Sequence, residues 1–240
     1  MGRGSSKGSG SSKGTAQKAQ QSSGPWWKTG ASTPAGISYD EYMKMNDSQK
    51  ARIVHDILND SSIVVPSHLD GSDTSKFIYA LGLSNKPDVV TDDQLKRMKG
   101  GSLYRTVNGD GFITGSAITD QIRNGDFTQM SGKGGSLHGR ALYFAQTVKS
   151  SAVYARGGDS VMIRAKLKPG AKMATEGAIR KGASSMGVPY SRDSNDNMAI
   201  FAISNGYDGW SDGFYTMIVN RGALAISSRD KSVTNSTGRW

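Results

Sequence analysis

The chain has 240 residues, of which 31 are Gly, 30 are Lys or Arg, 20 are Asp or Glu and none is Cys. The lack of Cys excludes a disulfide scaffold, a thiolate zinc site and a Cys nucleophile, and no stretch of about 18 apolar residues predicts a membrane span. The net charge is +10, but half of it lies in residues 1–35, so the total is weak evidence for a folded domain that binds nucleic acid. The acids include only two glutamates, Glu41 and Glu176, so a mechanism that needs glutamate has two candidates.

Residues 1–35 predict a flexible basic tail. They hold 15 Gly or Ser, five Lys or Arg and no acid, a composition that cannot repay the entropy of ordering. Such a tail predicts either sequence-independent contact with nucleic acid or a solubilising linker. Trp26 and Trp27 at its end either dock on the folded part or stack on a partner. The first residues lack the apolar region of a secretory signal.

Residues 36–100 predict short helices. Ser38 and Glu41 have the S-x-x-E spacing of a capping box, so Glu41 is interpreted as a helix cap. The three later helices are expected to follow Asp47, to begin near Asp73 or Thr74 and end at Gly82, and to begin at Thr91.

From residue 101 the apolar period shifts towards strands. The expected elements are a strand at 103–107, a helix at 116–123, a strand at 141–145, a helix from Thr147 to about 155, a half-buried strand at 161–167, and strands at 214–219 and 223–227. Residues 182–197 are expected to be a polar loop, and the apolar run 198–203 is ambiguous. This order predicts an α+β protein: a helical N-terminal part at 36–100, a mostly antiparallel core at 101–228 and a C-terminal tail at 229–240.

Two other motifs point to no common chemistry. Residues 131–135 read SGKGG, but Gly134 follows Lys133 where a P-loop needs Ser or Thr, which leaves a mobile basic loop near an anionic ligand. His55, His68 and His138 are too scattered to predict a metal site or a hydrolytic triad.

Two segments carry a family resemblance. ALYFA at 141–145 and KSSAVY at 149–154 resemble the strand and helix of the poly(ADP-ribose) polymerase branch of the ADP-ribosyltransferase superfamily. In that family the amide-binding Ser and the stacking Tyr lie eight and eleven residues after the strand Tyr, as Ser151 and Tyr154 do after Tyr143. LYR at 103–105 resembles the toxin branch instead, and NRG at 220–222 resembles its Pro-Arg-Gly with Asn220 in place of Pro.

The resemblance implies a split sheet that binds NAD as substrate and transfers ADP-ribose to a protein or nucleic-acid acceptor. By analogy Arg105 would anchor the dinucleotide, the Thr106 backbone and Ser151 would hold the nicotinamide amide, and Tyr143 and Tyr154 would sandwich the ring. An alternative interpretation makes Tyr143, Phe144 and Tyr154 core aromatics and pairs Arg105 with an Asp.

The sequence departs from the family at the catalytic glutamate. Alignment of the last strand places Thr216 at that position, and the nearest carboxylates are Asp212 and Asp208. Asp212 is therefore the candidate catalytic acid, while the Gly-rich surroundings favour turn roles for both.

The stretch 36–228, including FIYALGL and NGYDGW, also resembles tailed-phage head-associated proteins with such a domain. This resemblance implies virion protein partners and a place in the virion or the host cytoplasm. It keeps a second function open: a catalytically degenerate domain that serves as a virion structural or interaction module.

Overall fold

The computed structural model describes Met1 and residues 33–83, 86–125 and 139–234, and within them the predicted α+β class is confirmed. The eight helices are α1 (Tyr39–Met43), α2 (Asp47–Asn59), α3 (Asp73–Ala80), α4 (Asp92–Arg97), α5 (Gly115–Arg123), α6 (Val148–Ala152), α7 (Glu176–Ser185) and α8 (Ser194–Ser204). The nine strands are β1 (Asp88–Val90), β2 (Leu103–Asn108), β3 (Leu142–Ala145), β4 (Ser160–Leu167), β5 (Met173–Thr175), β6 (Gly209–Ser211), β7 (Tyr215–Ile218), β8 (Leu224–Ser227) and β9 (Lys231–Ser232).

Several predictions concern residues outside the described ranges. They are most of the tail at 1–35 with Trp26 and Trp27, the 131–135 loop, His138 and the C-terminal tail from residue 235. Both predicted tails are shorter than expected at their inner ends: Ala35 is buried, and its amide donates to the Ala80 carbonyl oxygen at 2.9 Å. At the other end Lys231 and Ser232 form β9, which pairs with β4.

Local side-chain caps start the helices as the sequence predicts. Ser38 and Glu41 form a reciprocal capping box at α1, and Thr91 caps α4. The second helix begins at Asp47 because the preceding residue, Asn46, accepts a hydrogen bond from the Gln49 amide.

The strands form one mixed open sheet in the order β1-β8-β4-β2-β3-β7-β6-β5, with β9 beside β4. The β1–β8 and β5–β6 pairings are parallel and the other pairings are antiparallel. Strand β1 lies in the part of the chain predicted as purely helical, and it enters the sheet through β8. The predicted turn between the last two core strands is a 3-10 turn, Arg221–Ala223.

Helices cover both faces of this sheet. One face packs around Phe144, Ile163 and Ile226 with α5. On the other face α1, α2, α3 and α8 pack over β3, β6 and β7 in a cluster that contains Tyr42, Phe77 and Trp210. Among the described residues, no helix combines the length and apolar content that a membrane crossing requires.

The expectation of a half-buried strand at 161–167 is wrong. Residues 160–166 are all buried because one face of β4 packs with α5 and the other lies under α4 and α6. The Arg164 guanidinium contacts the Asp92 carboxylate at 3.2 Å and the Lys166 ammonium donates to the Met98 carbonyl oxygen at 2.6 Å, so polar side chains are also satisfied there.

The expectation of a polar loop at 182–197 holds only for residues 186–193 and is wrong at both ends, since α7 continues to Ser185 and α8 begins at Ser194. The polar residues at the start of α8 are buried with partners rather than solvated. Asp196 accepts hydrogen bonds from the Thr74 amide and hydroxyl. Asn197 accepts from the Tyr190 amide at 2.8 Å. The ambiguous run 198–203 is helical, whereas α6 ends at Ala152, three residues before the predicted end.

Candidate functional site

The candidate site lies where β2 and β3 separate. Strand β2 pairs with β4 at six consecutive positions but with β3 through Tyr104 and Ala145. Antiparallel pairing from that point sets Arg105 beside Phe144 and Thr106 beside Tyr143, where the two strands no longer form a ladder. The backbone therefore opens at the residues that the resemblance selects.

Arg105 bridges this opening. Its Nη1 donates to the Tyr143 carbonyl oxygen at 3.0 Å, so a side chain takes the place of a ladder hydrogen bond. The side chain is half-buried, and burial lowers the pKa of the guanidinium to about 10. The group remains charged at neutral pH, with one of its donors committed to the backbone.

Thr106 and Ser151 join β2 to α6. The Thr106 hydroxyl donates to the Ser151 carbonyl oxygen at 2.8 Å, and the two hydroxyl oxygens lie 3.0 Å apart. Because a Thr hydroxyl carries one proton, the Ser151 hydroxyl is then the donor to Thr106. Thr147 starts α6 by accepting from the Ser150 amide, which fixes Ser151 as the fourth residue of the helix, where it is 1% exposed.

Tyr154 follows α6 and reaches across to β7. Its hydroxyl lies 2.8 Å from the Tyr215 hydroxyl, and the two rings meet edge to face at 6.3 Å. The hydrogen bond to Tyr215 raises the pKa of Tyr154 to about 12, with further contributions from burial and from the Asp212 charge. The ring is 48% exposed and presents a surface for stacking.

Tyr215 is a neighbour of the site that the sequence did not reveal as a site residue. It precedes Thr216 on β7, so it projects from the opposite face of the strand, and it pairs with Ala145. The alternation of side chains along β7 could have shown that Tyr215 and Thr216 face opposite sides. It could not have shown that Tyr215 meets Tyr154, which lies 61 residues away in the chain.

Tyr143 is held from its other end. Its hydroxyl donates to the Gly139 carbonyl oxygen, and its half-buried ring packs against the cluster that contains Met217. Phe144 is fully buried on the opposite face. Of the three aromatics, Phe144 therefore belongs to the core, Tyr143 borders the core, and Tyr154 reaches solvent.

The carboxylates near the last strand serve turns. Asp212 Oδ1 accepts from the Phe214 and Tyr215 amides at 2.7 and 2.6 Å. Asp208 accepts from the Lys172 amide at 2.8 Å and the Asn220 amide group at 2.7 Å. Asp212 is nevertheless close enough for its charge to act on Tyr154.

The position of the family's glutamate is filled by a buried residue. Thr216 is 4% exposed and pairs across the sheet with Phe144 and Ser211. Neither glutamate lies there: Glu41 caps α1, and Glu176 begins α7, where its carboxylate binds Arg180 at 2.6 Å.

Comparisons of the chain with protein-family models, with curated proteins and with solved structures found no significant match. The structure thus brings the Thr106 and Ser151 hydroxyls near the exposed Tyr154 ring, with the Asp212 carboxylate beside that ring. Arg105 contacts Tyr143 and, as the residue before Thr106 on β2, projects from the other face of the strand. The hydroxyls and the phenol ring suit a flat amide-bearing ring, and a guanidinium such as that of Arg105 suits an anion.

Proposed function

We propose that this chain is an ADP-ribosyltransferase-like protein that binds NAD where β2 and β3 separate and transfers ADP-ribose to a protein or nucleic-acid acceptor. The supporting observation is that the five predicted binding residues form two hydrogen-bonded groups, which meet at the neighbouring positions 105 and 106 of β2. Arg105 bonds to Tyr143 and Thr106 bonds to Ser151. The Tyr154 amide donates to the Ser151 carbonyl oxygen at 3.2 Å.

Each group has a task that its chemistry suits. Arg105 offers charged donors to the pyrophosphate. The Ser151 hydroxyl and the Thr106 backbone hold the carboxamide of the nicotinamide. When NAD is bound, the Ser151 hydroxyl donates to this carboxamide instead of to the Thr106 hydroxyl. The exposed Tyr154 ring stacks on the nicotinamide, and its bond to Tyr215 holds the ring in place.

The reaction breaks the bond between the nicotinamide nitrogen and the ribose carbon, and nicotinamide leaves with the electron pair. The acceptor nucleophile then bonds to that carbon and loses a proton. Positive charge develops at the ribose in the transition state, as in glycoside hydrolysis. Asp212 is the carboxylate assigned to stabilise this charge.

Binding is tested by isothermal calorimetry of the full chain with NAD. Replacing Tyr154 by Ala removes the stacking ring and is expected to weaken binding about tenfold. Phe214→Ala is the matched control, because Phe214 is 75% exposed on the adjacent turn and lies outside the proposed set. Equal NAD affinity of the Tyr154→Ala variant and the wild type would show that Tyr154 does not contribute to the site. No heat of binding with the wild-type chain would show that NAD is not its ligand.

Transfer is tested by release of free nicotinamide from the Asp212→Asn variant. Asn keeps an oxygen that can accept from the Phe214 and Tyr215 amides, so the turn is preserved while the charge is lost. If Asp212 stabilises the transition state, release falls about 10²–10³-fold with NAD affinity unchanged. An unchanged rate would assign Asp212 to the turn alone.

A second function is favoured by the carboxylate geometry. Asp212 and Asp208 both accept backbone or amide hydrogen bonds, and Thr216 replaces the expected glutamate. A domain of this kind binds NAD without turnover and acts as a structural or interaction module, as in a virion. Calorimetric binding without nicotinamide release, and a stoichiometric presence in a purified particle, would support this function over transfer.

A further inference from the structure

Basic side chains gather on α4 and on the strands beneath it. Lys96 and Arg97 form the last turn of α4, and Lys99 follows two residues later; all three are exposed. The single apolar residue inside α4, Leu95, is fully buried. The solvent side of this helix is therefore polar and its C-terminal end is positive.

Two buried cations hold α4 on the sheet. Arg164 and Lys166 lie two residues apart on β4 and project from the same face. Arg164 contacts Asp92 at the start of α4, and Lys166 bonds to the carbonyl of Met98 just after its end. These two contacts fix the position of α4 and therefore of its exposed cations, Lys96 and Arg97.

Strand β9 adds a further cation from the end of the chain. Lys231 pairs with Met162 on β4, which places it on the same face as Arg164. A hydrogen bond from Ser227 lowers the pKa of Asp92, and the charges of Arg164, Lys231 and Lys96 lower it further. Three separate segments thus lie within electrostatic reach of one carboxylate.

We call the four exposed cations, Lys96, Arg97, Lys99 and Lys231, the α4 patch. With the buried Arg164 and Lys166 beneath it, six cations lie near two acids, which leaves a local charge of +4. Arg164 binds Asp92 and Lys96 binds Asp93. The next acid along β9, Asp230, is bound by Arg123 instead. The net charge of the sequence segment does not indicate this basic surface, because residues 36–100 carry eight basic and ten acidic side chains.

We propose that the α4 patch binds the phosphate backbone of a nucleic acid, independently of the basic residues at 1–35. A cluster of exposed Lys and Arg matches a polymer with a phosphate at every repeat, and binding gains free energy from released counterions. A lipid surface fits less well, since α4 buries Leu95 and offers no exposed apolar side chain for the interface.

The test uses the full chain, with all tail residues retained, and a short fluorescent DNA duplex. The patch variant carries Lys96→Glu, Arg97→Glu and Lys99→Glu. The matched control carries Lys44→Glu, Lys181→Glu and Arg192→Glu; these residues are exposed just after α1, on α7 and before α8. Both variants change the net charge from +10 by three charge reversals, so they differ only in where the charge is removed.

Fluorescence anisotropy between about 50 and 200 mM salt gives the slope of log affinity against log salt. Loss of three phosphate contacts is expected to reduce that slope by about 2 to 3 in the patch variant, and by less than about 1 in the control. The single variant Lys231→Glu, which lies on β9 rather than near α4 in the sequence, is expected to reduce the slope by about one third as much as the triple patch variant. Thermal unfolding checks that each variant is folded.

Three results would overturn the proposal. Equal slope changes in both triple variants would show that net charge alone matters, and unchanged slopes would assign binding to other residues. A patch variant that keeps its duplex affinity but loses binding to phosphatidylserine vesicles would identify a membrane surface instead.

Discussion

Arg140 holds three aspartates that come from two distant parts of the chain. Its guanidinium contacts Asp70 at 3.1 Å, Asp193 at 3.5 Å and Asp196 at 2.9 Å. Asp70 precedes α3, whereas Asp193 and Asp196 start α8. The single cation therefore joins the N-terminal helices to α8 at the entry to β3.

Replacing Arg140 by Ala is expected to lower the free energy of unfolding by about 3 kcal/mol, because it leaves the buried Asp196 carboxylate without its cation. The measurement is urea denaturation at neutral pH. Arg180→Ala is the control: its partner Glu176 lies on the same helix and the Arg180 side chain is 51% exposed, so a loss below about 1 kcal/mol is expected.

The destabilisation by Arg140→Ala should depend on pH. Burial raises the pKa of Asp196 above its ordinary value, so this group favours the folded state most at low pH and loses that contribution as the pH rises through its folded pKa. Removal of Arg140 raises this pKa further. The difference in the free energy of unfolding between the variant and the wild type should become smaller as the pH falls. A difference that does not change with pH would contradict the role of Asp196.

Sequence reasoning at this scale succeeded where partners are close in the chain. The Ser38–Glu41 box needs a spacing of three residues, and the prediction of a cap is confirmed. The Tyr154–Tyr215 bond and the Arg105–Tyr143 bond were not predictable, because sheet order brings these residues together.

Helices α7 and α8 show how packing between elements overrides local composition. Residues 182–197 are rich in Gly, Ser and Asp, which favours a loop. Gly182 nevertheless lies in the last turns of α7, where a Cβ would be 2.1 Å from the Phe201 ring of α8. The glycine permits a close approach that makes both helices stable.

Gly182→Ala is expected to destabilise the fold by about 1 kcal/mol or more, although Ala is the better helix former, because the added methyl overlaps Phe201. Gly177→Ala in the same helix is the control, since its Cβ would meet no atom within 4 Å. Urea denaturation should show no loss for that variant. In the double variant with Phe201→Leu the two effects should not add, whereas additivity would place the strain elsewhere.

The helical N-terminal part and the sheet share one apolar cluster. It includes Ile53 and Phe77 from the helices, Ile200 from α8 and Trp210 from β6. Two phenols strengthen the junction: Tyr42 bonds to the Ser204 hydroxyl at 2.8 Å, and Tyr39 donates to the Ile203 carbonyl oxygen at 2.7 Å. The predicted boundary at residue 100, between a helical N-terminal part and the core, stays a prediction.

We expect the two parts to unfold in a single transition, because neither can expose its side of the cluster without the other. The variant with Trp26, Trp27 and Trp240 replaced by Phe leaves Trp210 as the reporter of the sheet. Its fluorescence and the far-ultraviolet circular dichroism of the helices should change at the same urea concentration. Separate midpoints would show two independent units.

The sequence by itself determined the starts of helices α1 to α6 to within a residue, the strands β2, β4 and β7 and the α+β class, because caps and apolar periodicity act within a few residues. The tertiary structure decided the burial of both faces of β4, the helical state of 176–185 and 194–204, and the position of Lys96 and Lys231 near the same carboxylate, Asp92. Those features depend on partners far apart in the chain. The two glutamates illustrate both cases: spacing alone identified Glu41 as a cap, whereas the placement of Glu176 at the start of α7 required the fold.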